Sequence, residues 1–159
     1  MRRFTTNTAL SVFKTSCYNK IDFKINENNT ARNAVKRFAA FNIGCLAVTN
    51  QHDVVIGILS ERDYIHKVSA LGKNDNHVKI KDICTYTNIM IAQKSDSLEQ
   101  CMNKLLIKDI RHLLVVDESQ CIGLISMKDL VKGVMHDKNN VITRLTDLRT
   151  GKGGYFGSE

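Results

Sequence analysis

The chain repeats itself. Apolar side chains stand at Ala31, Ala34, Val35, Phe38 and Ala39, and again at Leu98, Cys101, Met102, Leu105 and Leu106. Both sets run i, i+3, i+4, i+7, i+8, the stripe of an amphipathic helix, and they lie 67 residues apart. Thr30 and Ser97 precede them as N-caps. The register continues: Ile43, Leu46 and Val48 match Ile110, Leu113 and Val115 at the same offset, in short apolar runs that read as buried strands. After a polar turn one residue shorter in the second copy, VIGILSERD (55–63) matches CIGLISMKD (121–129) at an offset of 66. Tyr64, Ile65 and Val68, then Leu130, Val131 and Val134, supply the apolar positions of a further helix in each copy.

Each copy therefore predicts strand–helix–strand–strand–helix, with a weak first strand at Ile21, Phe23 and Ile25 in one copy and at Ile89 and Ile91 in the other. A unit of roughly 60 residues is marginal alone. The expected fold is α+β, close to α/β: two tandem β-α-β-β-α repeats packed about a pseudo-two-fold axis. The expected divisions are an extension 1–9, a first repeat 10–69, a linker 70–79, a second repeat 80–136, a helix over 137–150 carrying Val141, Leu145 and Leu148, and a flexible tail 151–159.

Composition narrows the function classes. The 159 residues hold 23 Lys and Arg against 16 Asp and Glu, a net charge of +7, which suits an anionic partner. The basic residues are scattered, no tryptophan is present, and no stacking platform or recognition motif is visible, so nucleic acid is the weaker choice. No apolar run approaches the ~20 residues of a membrane span. Five cysteines without a Cys-x-x-Cys, and His52, His66, His77 and His136 without ligand spacing, suggest neither a disulfide framework nor a metal site. No catalytic constellation such as G-x-S-x-G, H-E-x-x-H or Walker A occurs, so no enzyme is expected. Reduced thiols point to the cytoplasm. Arg2, Arg3, Lys14 and Lys20, among hydroxyl residues and without an acid, also resemble a mitochondrial transit segment, making the matrix the alternative.

The paired segments GILSERD and GLISMKD, with the preceding NIGCLAV and DIRHLLVV, resemble a pair of cystathionine-β-synthase (CBS) domains over roughly residues 10–136. Arg62-Asp63-Tyr64, Ile110-Arg111-His112-Leu113 and the tail Gly153-Gly154-Tyr155 are similar to the small CBS-pair proteins of proteobacteria and plant mitochondria. One departure is Leu114, where such proteins often carry proline.

On spacing alone, Ser60-x-x-Asp63 and Ser126-x-x-Asp129 are capping boxes. The resemblance implies more: Asp63 and Asp129 would hold the ribose hydroxyls of an adenosine ligand, with Ser60 and Ser126 beside ribose or phosphate. Arg62, Lys128, Arg111 and His112 would be its phosphate partners; for Arg62 and Lys128 the alternative is a solvated helix face. The implied function is a non-catalytic sensor that binds AMP, ADP or ATP, with S-adenosylmethionine and NAD sharing the same handle. It would form a homodimer, in which the terminal helix takes part, and signal to an unidentified regulated protein. The rival is a ligand-free interaction or dimerisation module.

Overall fold

The computed structural model describes residues 7–150; residues 1–6 and the tail expected over 151–159, with Gly153-Gly154-Tyr155, lie outside the described residues. The elements are α1 (Ala9–Thr15), β1 (Lys24–Asn26), α2 (Ala31–Phe41), β2 (Cys45–Thr49), β3 (Val55–Ser60), α3 (Glu61–Tyr64), β4 (Ile91–Gln93), α4 (Leu98–Lys108), β5 (His112–Asp117), β6 (Gln120–Ser126) and α5 (Met127–Thr150). Short 3₁₀ turns cover Cys17–Lys20 and Ile80–Asp82.

The strands form two three-stranded sheets, ordered β1-β2-β3 and β4-β5-β6. In each, a parallel pair joined by a crossover helix is followed by an antiparallel hairpin. The register repeats residue for residue. Lys24 opposes Ala47 as Ile91 opposes Leu114, and Val48 opposes Gly57 as Val115 opposes Gly123. Both hairpins shift register at the same place, between Val48 and Thr49 and between Val115 and Val116. The central strands are buried throughout at Cys45–Thr49 and Leu113–Val116, as strands covered on both faces must be. Thr30 and Ser97 cap α2 and α4, accepting from the backbone N–H of Asn33 and Gln100.

The first strands are shorter than the alternation suggests. Only Lys24–Asn26 and Ile91–Gln93 pair, which leaves Ile21, Phe23 and Ile89 outside the ladders, to pack against the core. The last helix is longer. Residues 137–150 are the second half of the 24-residue α5, since no proline interrupts it and Gly133 is tolerated inside it.

The segments that open the two repeats are exchanged. Ala9 and Leu10 donate their N–H groups to Asp96 and Lys94 of the second repeat, while Ile80 and Lys81 donate to Asn29 and Glu27 of the first. Asn29 and Asp96, and Glu27 and Lys94, are 67 residues apart. Thus α1 serves the second repeat as residues 80–83 serve the first. Among the described residues, no helix is long and apolar enough to cross a membrane.

Candidate functional site

Each Ser-x-x-Asp stands where a strand ends and a helix begins, and each forms the capping box. Asp63 Oδ2 accepts from Ser60 N and Oγ, both at 2.9 Å, and Ser60 Oγ accepts from Asp63 N at 3.2 Å. Asp129 Oδ2 accepts from Ser126 N and Oγ, both at 2.8 Å, and Ser126 Oγ accepts from Asp129 N at 3.2 Å. One oxygen of each carboxylate is therefore committed to the cap. The other oxygen differs between the copies.

In the first copy Asp63 Oδ1 accepts from Lys67 Nζ at 2.8 Å and from Thr85 Oγ1 at 3.4 Å. Lys67 also donates to the carbonyl of Ile83 at 2.7 Å, which pins it in place. The carboxylate borders a cavity of about 320 Å³ between the repeats. Its walls are apolar at Ile58, Ile89, Met90 and Ile110, and Arg62, Lys108, Arg111 and His112 complete its polar border with Ser60 and Asp63. Thr85 reaches this place because its backbone pairs with Ile58 through two hydrogen bonds of 3.0 and 2.9 Å. That approach requires Gly57, where a Cβ would stand 2.7 Å from the Thr85 carbonyl oxygen. Arg62 crosses the seam, donating at 3.0 Å to the carbonyl of Asp109, the left-handed C-cap of α4.

In the second copy Lys67 is matched by Gly133, where a Cβ would stand 3.2 Å from Leu98 of α4. Helix packing there leaves little space for a side chain, and Asp129 Oδ1 accepts no hydrogen bond among the described residues. Instead Ser16, brought in by α1, donates to Asp129 Oδ2 at 2.9 Å. Thr85 is matched by Tyr18, which is 2% exposed and sets its ring edge-on to His112 at 6.1 Å. Phe13 lies against Gly123, with its ring 2.7 Å from where a Cβ would be, and meets Phe23 edge-on at 5.9 Å. Leu124, the counterpart of the half-buried cavity wall Ile58, has no exposed surface. The apolar slot of the first copy is thus filled by aromatic side chains in the second. What stays open beside Asp129 is a larger groove of about 580 Å³, bordered by Arg111, Lys128, Lys132 and Glu61 and by the apolar side chains of Ile43, Met127 and Val131.

Arg111 and His112 border both spaces. Burial pushes the His112 imidazolium down to a pKa of about 4; the Arg111 guanidinium adds to this and Asp129 opposes it. His112 is therefore neutral near pH 7 and offers a hydrogen bond but no charge. Burial likewise raises the Tyr18 phenol and the Cys45 thiol, so both stay protonated. All five cysteines are free, with Cys45, Cys84 and Cys101 buried.

Of the eight residues expected from sequence, Ser60, Arg62, Asp63, Arg111 and His112 meet at the first cavity, and Ser126, Lys128 and Asp129 meet Arg111 and His112 at the second. Sequence reasoning missed Lys67, Thr85, Ile89, Met90, Ser16, Tyr18 and Lys132. The pairings Lys67 with Gly133 and Thr85 with Tyr18 follow from the same offsets of 66 and 67 and carried the signal.

The CBS domain model matches residues 19–70 and 80–136. The mitochondrial CBS domain-containing protein CBSX3 of Arabidopsis thaliana is 30% identical over 131 residues, covering 80% of this chain and 63% of that protein. The chain thus spans less than two thirds of that relative, and 53% of an uncharacterised protein of Methanopyrus kandleri that it also matches. A CBS-domain protein of Burkholderia ambifaria superposes with a TM-score of 0.75 at 31% identity, over 82% of this chain and 96% of the other. The Pyrobaculum aerophilum CBS domain protein PAE2072, solved in complex with AMP, superposes with a TM-score of 0.60 at 21% identity, over 67% and 80%.

Proposed function

The chain belongs to the CBS-domain family as a tandem pair of repeats, and from that premise we propose that it is a non-catalytic regulatory module which binds one adenosine nucleotide in the Asp63 cleft. Occupancy of the seam between residues 10–69 and 80–136 would then be read by a partner protein. The supporting observation is the difference between the two clefts: among the described residues the Asp63 carboxylate borders a slot walled by Ile58, Ile89, Met90 and Ile110, whereas Tyr18 and Phe13 pack where the matching slot would lie beside Asp129. Its volume lies at the small end of the ~300–1,000 Å³ usual for ligand pockets. Adenine fits between Ile58, Ile89, Met90 and Ile110. The ribose hydroxyls fit on Asp63, where the 3.4 Å bond from Thr85 is long and exchanges readily. Arg62 and Arg111 offer charge to the first phosphate. AMP, ADP, ATP, S-adenosylmethionine and NAD all carry this adenosine handle. The working compartment is a reducing one, cytoplasm or mitochondrial matrix, in keeping with five free thiols.

Calorimetry with AMP tests the assignment. Asp63→Asn keeps an acceptor for the cap but loses the charge-assisted bond of ~1.5–3 kcal/mol, so AMP affinity should fall about 10- to 100-fold. Asp129→Asn should leave it unchanged. No loss from Asp63→Asn would return that carboxylate to capping alone, and an equal loss from Asp129→Asn would overturn the assignment to a single cleft.

We further propose that the module acts as a homodimer through α5. Val131, Val134, Val141, Leu145 and Leu148 are exposed and, with Lys138, follow alternating steps of three and four residues. That is the seam of a two-stranded coiled coil, in which a lone polar residue fixes register. A second copy of the same helix presents the matching seam.

A further inference from the structure

We infer that α5 pairs with α5 of a second copy running in the opposite direction, so that the last turn of each helix closes the apolar side of the groove beside Asp129 in the other copy. The inference rests on the α5 homodimer proposed above and adds the direction of the partner and what that direction does to the groove.

The seam residues Val131, Val134, Lys138, Val141, Leu145 and Leu148 are all exposed. Their spacing mirrors itself about the midpoint between Asn139 and Asn140. Val131 is as far from it as Leu148, Val134 as Leu145, and Lys138 as Val141. A two-fold interface needs residue i to meet j while j meets i, and an antiparallel pair centred on that midpoint meets the condition in every layer. A parallel pair is self-matching too, and charge separates the two directions. In the parallel pair Lys138 faces Lys138 of the second copy inside the seam, and Arg144 flanks the second copy's Arg149, so like charges meet at both places. In the antiparallel pair Lys138 lies across from Val141, where its stem packs and its ammonium reaches water. Asp137 then flanks Arg144 of the second copy, and Met135 flanks Ile142, both exposed apolar residues. Asp137 gives Oδ1 to Asn7 Nδ2 at 2.6 Å, so a guanidinium can approach Oδ2. One like-charged pair is left, Lys128 with Arg149 of the second copy; both are exposed, where salt screens them most.

Val131 is also a wall of the groove beside Asp129. Opposite it in the antiparallel pair stands Leu148 of the second copy. Each groove is thus completed by the last helical turn of its partner. In a parallel pair Leu148 would lie about 25 Å further along the helix, out of reach.

Oxidative cross-linking tests the direction, on full chains carrying Cys17→Ser to remove the exposed native thiol. An equilibrated mixture of Val131→Cys and Leu148→Cys chains should form a covalent dimer, and neither chain should do so alone. Arg144→Glu gives a readout of opposite sign for the two directions. Ultracentrifugation should show a dimer dissociation constant raised about tenfold, as two exposed pairs turn from attraction to repulsion. Adding Asp137→Lys should restore the wild-type value. A covalent dimer from either cysteine chain alone, or a dimer tightened by Arg144→Glu, overturns the direction and leaves the α5 homodimer standing. So does a mixture that stays uncrosslinked while the wild type is dimeric. A monomeric wild type overturns both.

Discussion

The two clefts are built on one backbone plan and finished differently. Strand register, bulge position and capping box coincide through the offsets of 66 and 67 residues. Yet the first cleft is an apolar slot beside a carboxylate, and the second is a plugged slot opening into a basic groove. Several substitutions between the copies accompany the change, among them Thr85 against Tyr18, Ile80 against Phe13, Ile83 against Ser16 and Lys67 against Gly133. Duplication therefore preserved the scaffold, which depends on many cooperating positions, while the walls of the two clefts diverged at a few residues. The helices after the boxes diverged as well. α3 gives way to a wide turn, closed by the N–H of Ala70 on the carbonyl of Ile65, whereas α5 runs on for 24 residues.

That last contrast offers the largest test. Leu145→Lys with Leu148→Lys places four like charges in a paired α5 seam, and each lost apolar contact alone is worth ~1.5–3 kcal/mol. Light scattering should show a dimer converted to a monomer with an unchanged AMP affinity. A wild type that is monomeric at high concentration would remove the role of α5. Next comes the plug. Tyr18→Thr copies the first cleft into the second and removes a buried ring, at a cost of about 2–5 kcal/mol. If the clefts differ only by their filling, the calorimetric stoichiometry for AMP should rise from one to two; a ratio fixed at one would show that Phe13 and Phe23 close the slot without Tyr18. The smallest effect concerns the shared wall. His112 is matched by Cys45, whose thiol burial pushes up and away from this range. An unfolded histidine titrates near 6.5 and His112 near 4. Between those values the unfolded chain binds the proton that the native chain refuses, so stability is lost as pH falls through the window. Unfolding free energies from urea titrations at pH 7 and pH 4.5 should differ by about 2 kcal/mol from this group. His112→Gln should remove that part of the slope.

Much of this was legible beforehand. The apolar stripes and the paired Gly-φ-φ-Ser-x-x-Asp runs report local structure, and local structure is what periodicity encodes. The capping boxes were readable for the same reason, since Ser60 and Asp63 are three residues apart. The plug was not. Ser16 and Tyr18 open the segment expected as the first repeat but pack on the second, and nothing in their own neighbourhood says which repeat they serve. Ile89 differs for a related cause: its alternation with Ile91 is that of a strand, but the chain joins the sheet only at Ile91, which leaves Ile89 to the cavity.

The exchange of leading segments has a consequence for the birth of the chain. Residues 8–18 are synthesised early, yet their resting place against β6 and α5 is made more than a hundred residues later. The first repeat can acquire its own lid from residues 80–83 while translation continues; the opening helix must wait, unburied, for the final hairpin. Closure of the molecule is thus a long-range, late event, slow by the rule that distant contacts are entropically costly to form, and a nascent chain truncated before β6 would expose Phe13 and Tyr18 to whatever chaperone surface is near.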